Sequence, residues 1–204
     1  MLLKVHTENP EQRKIQQIIK VLEDGGVIIY PTDTVYGLGC DIFNNRAVER
    51  ICRLRQLNPA KANLSFICEN LSQLSQYTKP LDNRTFRLLK RNLPGPFTFI
   101  FNTNNSVPKL LKNKRKTAGI RIPNNSIAQA IIARLGRPIL SISIKIEDEI
   151  LEYLTDPIDI HEEYGKLVDM VVDGGISGHT ASTIVDCTSS EIDILREGAG
   201  ELEL

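Results

Sequence analysis

The stretch Gly25-Gly26-Val27-Ile28-Ile29-Tyr30-Pro31-Thr32-Asp33-Thr34-Val35-Tyr36-Gly37-Leu38-Gly39 carries the reading of the fold. Gly25-Gly26 stops a preceding helix. Val27 to Tyr30 is a short, wholly apolar run of β-branched character, the pattern of a strand buried on both faces. The following segment to Asp41 crowds hydroxyls, a carboxylate and glycines into one loop at a strand end, where α/β folds place their ligands. Hydroxyls and backbone N–H groups there orient a small polar substrate, and glycines let it approach the main chain. An ordinary turn held by hydroxyl–backbone bonds has the same composition.

Working outward, Asn9-Pro10 reads as a helix cap followed by proline at the first helical position, with Ile15, Ile18, Ile19 and Leu22 at helical spacing. Downstream the pattern predicts a helix over 44–55, a strand over 64–68, a helix over 82–91 and a strand over 97–102. A strand over 117–122, a helix over 126–135 capped by Ser126 and a strand over 139–143 follow. After an acidic, weakly patterned stretch, 167–172, 183–187 and 192–196 read as three closing strands. Strands interleaved with helices, some of them consecutive at the end, predict an α/β fold with a mixed sheet under helices. At 204 residues, one domain over 1–204 is the expectation.

Composition narrows the classes. The longest apolar runs are strand-length, and Met1-Leu2-Leu3-Lys4 lacks a signal-peptide core. The expectation is a soluble, cytoplasmic protein with no membrane partner. Cys40, Cys52, Cys68 and Cys187 are far apart, and His6, His161 and His179 show no ligand spacing, so no protein-bound metal is expected. The cysteines sit among apolar residues and read as buried reduced thiols. Net charge is zero, yet residues 1–145 hold 23 Lys/Arg against 9 Asp/Glu, and residues 146–204 hold 2 against 16. Either the two halves neutralise each other in the fold, or a basic face for phosphates or RNA is backed by an acidic one.

Neither a Walker A sequence nor a GxGxxG occurs, so a nucleotide would be held by another arrangement. In the 44–55 helix, Arg55 falls seven residues after Val48 on the buried stripe, where a guanidinium needs an anionic partner. Arg46, Arg50 and Arg53 form a ridge beside it. Lys109, Lys112, Lys114, Arg115 and Lys116 crowd the approach to Thr117 and suit phosphate or RNA. Arg121 alternates with Ile120 and Ile122 and so faces away from them. Ser141, Ser143 and Lys145 share one strand face, and Ser182-Thr183, Asp186 and Arg196 border the last strands. Several polar groups at strand ends in one sheet converge on one cleft.

Taken together, the Pro31 to Gly39 segment, Arg53-Leu54-Arg55, Thr117-Ala118-Gly119-Ile120-Arg121-Ile122-Pro123, Asp173-Gly174-Gly175, Ser182-Thr183-Ile184-Val185-Asp186 and Arg196-Glu197-Gly198 resemble the YrdC/YciO family, in order from about Gln16 to Gly198. Arg55-Gln56-Leu57, Asn92-Leu93-Pro94-Gly95 and Lys114-Arg115-Lys116-Thr117 resemble its YciO branch. The resemblance implies a twisted open sheet with a concave basic surface to which double-stranded RNA or tRNA binding has been ascribed. For the synthase branch it implies threonylcarbamoyl-AMP formation from threonine, bicarbonate and ATP with Mg2+, releasing pyrophosphate, for tRNA modification.

By that resemblance Thr34, Arg121 and Ser182 correspond to groups holding threonine, and Arg55, Thr117, Ser143 and Arg196 to groups holding ATP. Arg53, Arg55 and Lys145 occupy the catalytic positions, and Lys112, Lys114, Arg115 and Lys116 form the RNA contact. The family's Lys-x-Arg is Arg53-x-Arg55 here, its Ser-x-Asn is Ser143-x-Lys145, and Ile67 and Cys68 stand where a histidine is expected. Two readings of different classes follow: an adenylate-forming enzyme, and a non-catalytic RNA-binding paralogue associated with translation. An enzyme that hydrolyses or reverses such an adenylate is a third.

Overall fold

The structure, a computed structural model, describes residues 1–58, 64–111, 116–144, 153–189 and 191–204. Its first half runs β1 (Leu2–Lys4), α1 (Gln12–Glu23), β2 (Ile28–Tyr30), β3 (Gly37–Asp41), α2 (Asn45–Leu54), β4 (Ser65–Ile67), α3 (Leu71–Ser75), α4 (Asn83–Asn92) and β5 (Phe97–Asn102). The second half runs β6 (Thr117–Arg121), α5 (Ser126–Leu135), β7 (Ile139–Ser143), α6 (Pro157–Tyr164), β8 (Met170–Asp173), β9 (Thr183–Asp186) and β10 (Asp193–Arg196). The strands form one mixed sheet in the order β1-β8-β2-β3-β7-β4-β6-β5-β9-β10. The three closing strands are therefore consecutive in the chain but divided in space. β8 sits between β1 and β2, whereas β9 and β10 complete the opposite edge.

Strand alternation divides the core into two layers. Ile29, Leu38, Phe66, Phe99, Ile120 and Val185 point to one face, which packs on the apolar stripes of α2, α4 and α6. Ile28, Tyr30, Ile67 and Ile139 point to the other, beneath Ile15, Ile18, Ile19 and Leu22 of α1 and the apolar side of α5. On that second face the strands continue past the cover of α1 and α5. Ser65 lies two residues from Ile67, Ser141 and Ser143 follow Ile139, and Thr117, Gly119 and Arg121 alternate with the buried Ala118 and Ile120. This uncovered stretch of sheet is the concave surface on which the candidate site is built.

Three local expectations are corrected by the structure. α1 starts at Gln12 with Glu11 as N-cap, not at Pro10 with Asn9 as cap. The Asn9 N–H instead donates to His6 Nδ1 at 3.1 Å, which closes a turn ahead of the helix. Asn125, not Ser126, caps α5, its side chain accepting from the Ala128 N–H at 3.0 Å. Gly37 to Asp41, read as part of a loop, is a fully buried strand paired antiparallel with both β2 and β7.

Candidate functional site

A cavity of about 350 Å³ opens on the uncovered sheet face. Its polar wall contains Arg55, Thr117, Arg121, Ser143, Ser182 and Arg196. The sheet register explains the convergence. Ser65 on β4 is paired with Ser141 on β7 and with Gly119 on β6, and Gly119 is in turn opposite Ile100 on β5, which pairs with Asp186 on β9. Residues paired across strands share a face, so one row, small or polar except for Ile100, crosses five strands. Gly119 lets Thr98 and Ser65 approach each other across the floor: a Cβ there would lie 2.9 Å from Thr98 Cγ2 and 3.1 Å from Ser65 Cβ.

Arg121 is the best-defined group of the wall. It is 5% exposed, and one of its terminal nitrogens donates to Asp33 Oδ1 at 2.7 Å and to Thr34 Oγ1 at 3.0 Å. Asp33 also accepts from the Asn124 N–H at 2.9 Å, which ties the loop after β2 to the entry of α5. Thr32 and Thr34 hydroxyls lie 3.1 Å apart, and the Thr32 hydroxyl donates to the Val35 carbonyl at 2.7 Å. The loop hydroxyls thus make local turn bonds and also hold the arginine. Among the described residues Arg121 Nε finds no hydrogen-bond partner, and the buried Tyr30 hydroxyl has only the Ser141 side chain beside it, without a bond of ordinary geometry. Burial in an apolar layer pushes the Tyr30 phenol up to about 12.

At the other end of the wall, Ser182 is 4% exposed and lies between two side chains. The Thr98 and Ser182 hydroxyls lie 2.7 Å apart, and Arg196 donates to the Ser182 carbonyl from Nε at 3.2 Å and from a terminal nitrogen at 2.7 Å. Arg55 closes the last turn of α2 as its C-cap and reaches the cavity half-buried, while Val48, Ile51 and Cys52 of the same helix are buried in the core. Asp186 is the one carboxylate among the described lining residues, against three guanidinium groups, of which Arg121 is already paired with Asp33. That excess of positive charge with many hydroxyl donors suits a polyanion whose oxygens need directional partners.

Of the residues singled out in the sequence, the cavity brings together Arg55, Thr117, Arg121, Ser143, Ser182 and Arg196. Thr34 stands behind Arg121, buried and outside the wall itself. Arg53 is exposed and does not line the cavity, and Lys116 is exposed just ahead of Thr117. Lys112, Lys114, Arg115 and Lys145 lie outside the described residues. Ile67, where the resemblance leads one to expect a histidine, is buried in the layer under α1 and α5, in register with Arg121. Sequence reasoning missed Ser65 and Thr98. The signal for Thr98 was present: Phe97, Phe99 and Phe101 alternate with Thr98, Ile100 and Asn102, so the second set faces away from the phenylalanine ladder.

Comparison with known proteins agrees with this fold. A family profile for Sua5, YciO and YrdC proteins, described as telomere recombination, matches residues 20–198. The Escherichia coli protein YciO is 44% identical over 201 residues, which span 98% of this chain and 96% of that one. Its crystal structure superimposes with a TM-score of 0.92, covering 98% of this chain and 97% of that chain. A threonylcarbamoyl-AMP synthase of Coxiella burnetii is 29% identical over 181 residues, covering 88% of this chain and 96% of the synthase. The crystal structure of P. abyssi Sua5 complexed with L-threonine matches with a TM-score of 0.86 at 27% identity, over 97% of this chain and 57% of that one.

Proposed function

This chain belongs to the Sua5/YciO/YrdC family, and from that premise we propose that its cavity binds ATP and threonine and joins them, with bicarbonate, into threonylcarbamoyl-AMP. One observation carries the reading: Arg55, Thr117, Ser143 and Arg196, assigned to ATP, and Arg121 and Ser182, assigned to threonine, line a single cavity of about 350 Å³ although they are spread over positions 55 to 196. That volume falls in the ordinary range for a small-molecule site. Arg121, held in place by Asp33 and Thr34, presents its remaining donors to the carboxylate of the amino acid, and the Ser182 hydroxyl serves its polar groups.

Bicarbonate takes up one proton and loses water to give CO2, which the neutral threonine amine captures as a carbamate with release of one proton. A carbamate oxygen then attacks the α-phosphorus of ATP, forming the carbamoyl–phosphate bond as the bond between the α- and β-phosphates breaks and pyrophosphate departs with the Mg2+ that arrived with ATP. Arg55, with Thr117 and Ser143, faces the phosphates and offsets the charge that develops on the departing group. Binding two reactants on one rigid sheet face converts a three-component encounter into a positioned reaction.

Purified protein given ATP, Mg2+ and bicarbonate is expected to release pyrophosphate only when threonine is present. Pyrophosphate release that ignores threonine, or none at any threonine concentration, removes the reading. A second reading, a non-catalytic RNA-binding protein of translation, is favoured by the exposure of Arg53 and Lys116 outside the cavity lining. It requires that Arg53→Glu and Lys116→Glu together weaken double-stranded RNA binding and flatten its salt dependence.

A further inference from the structure

Thr98, Ser182 and Arg196 form a continuous chain of polar contacts along the cavity wall. Thr98 is 8% and Ser182 4% exposed, and their hydroxyls are 2.7 Å apart. Arg196 places Nε and a terminal nitrogen on the Ser182 carbonyl, and the same terminal nitrogen lies 3.4 Å from the Ser182 hydroxyl. The register between β10 and β9 shifts between Ile194 and Arg196, and this bulge brings Arg196 opposite Ile184 on the cavity side. A guanidinium carries five N–H donors in a rigid fork. The edge of Arg196 turned to Ser182 is therefore occupied by the protein, and among the described residues its remaining donors have no other partner and are left for a ligand. Arg196 is itself exposed, so its side chain is ordered only by what it holds.

We propose that these three residues are a relay that couples the amino-acid and nucleotide subsites, with Thr98 as a positioning residue for Ser182. The inference rests on the reading of the cavity as an ATP and threonine site. An anion on the outer edge of Arg196 fixes the guanidinium, which fixes the Ser182 carbonyl and hydroxyl, while Thr98 holds that hydroxyl from the other side. Each ligand then finds its partner's half of the wall already ordered. By linkage, nucleotide tightens threonine by the same factor as threonine tightens nucleotide.

The test is calorimetric titration of L-threonine into the full chain, with and without ATP and Mg2+ in bicarbonate-depleted buffer so that no turnover occurs. The wild-type protein is expected to bind threonine at least about fivefold more tightly with ATP present. Thr98→Val, which keeps shape and loses the hydroxyl, weakens threonine roughly five- to tenfold and abolishes the ATP effect, whereas Thr98→Ser retains both. Arg196→Lys, on an exposed strand, weakens threonine even without nucleotide, because an ammonium cannot span two contacts with a fork. A residue serving phosphate alone would leave that titration unchanged. Wild-type affinity for threonine that is the same with and without ATP, or a Thr98→Val variant that behaves as wild type, overturns the relay and leaves the cavity reading standing. A wild-type protein that takes no threonine at all overturns both.

Discussion

Arg121 and Asp33 are 6% and 8% exposed at their side chains and meet at 2.7 Å, so each is the main compensation for the other's loss of water. A buried pair of this kind adds little net stability, but removing one partner strands a charge at about 3–5 kcal/mol. Asp33→Ala is therefore expected to lower the unfolding free energy by about that amount in urea denaturation. The same substitution also removes the acceptor for the Asn124 N–H and loosens the loop after β2. Tyr30→Phe makes the contrasting case. Its buried hydroxyl has no hydrogen bond of ordinary geometry, only the Ser141 side chain beside it, so deleting it is expected to change stability by less than about 1 kcal/mol, in either direction. A loss of several kcal/mol in Tyr30→Phe would mean that the hydroxyl has a partner. The side of β6 that Arg121 faces was legible from its alternation with Ile120 and Ile122. Its ion-pair partner was not, because Asp33 lies 88 residues away and only the closed sheet brings the two together.

At the scale of elements, glycine decides where the sheet can be thin, and this is also why β3 was hidden in the sequence. Gly37 and Gly39 read as loop residues, yet the Tyr30 ring lies across them: a Cβ on Gly39 would lie 2.7 Å from that ring and 2.7 Å from the Leu140 carbonyl oxygen. Packing demanded glycine within a strand, against its usual propensity. α6 was hidden for a different reason. Its Asp156-Pro157 start is a cap followed by proline at the helix entrance, the signal assigned to Asn9-Pro10, but the acidic surroundings and short apolar pattern masked it. Two glycine substitutions separate packing from backbone strain. Gly119→Ala must displace the Thr98 methyl and the Ser65 Cβ. It is expected to cost about 1–3 kcal/mol in denaturation and to weaken threonine in the same titration that probes the relay. Gly136→Ala, at the end of α5 with a φ of 71° and nothing within 4 Å of the added atom, costs about 1–2 kcal/mol through backbone strain. Its ligand binding is unchanged. Equal effects of the two on threonine affinity would contradict the placement of Gly119 on the cavity floor.

For the whole molecule, the two layers of the sheet set both the site and the response to pH. The layer under α2, α4 and α6 buries Tyr36, Cys40 and Cys68, and burial pushes all three above their ordinary values. Tyr30 in the other layer and Cys187 beside the core are each pushed up to about 12. In every case the neutral form is the one the fold retains. The unfolded chain begins to ionise near the ordinary thiol value of 9.0 and phenol value of 10.0, while the folded chain still holds those protons. The stability they contribute is therefore fully present below about pH 9 and is lost as pH rises from there through about 12. A group inside its window contributes a slope of about 1.4 kcal/mol per pH unit. Urea unfolding at pH 7.5, 9.5 and 10.5 is expected to show a stability that falls only across the alkaline interval. Cys68→Ala, which deletes one fully buried thiol, makes that fall shallower by roughly one such slope. An alkaline limb as flat as the neutral one would show that these thiols and phenols meet water in the folded protein, and so that the layer supporting the cavity is less tightly closed than its packing indicates.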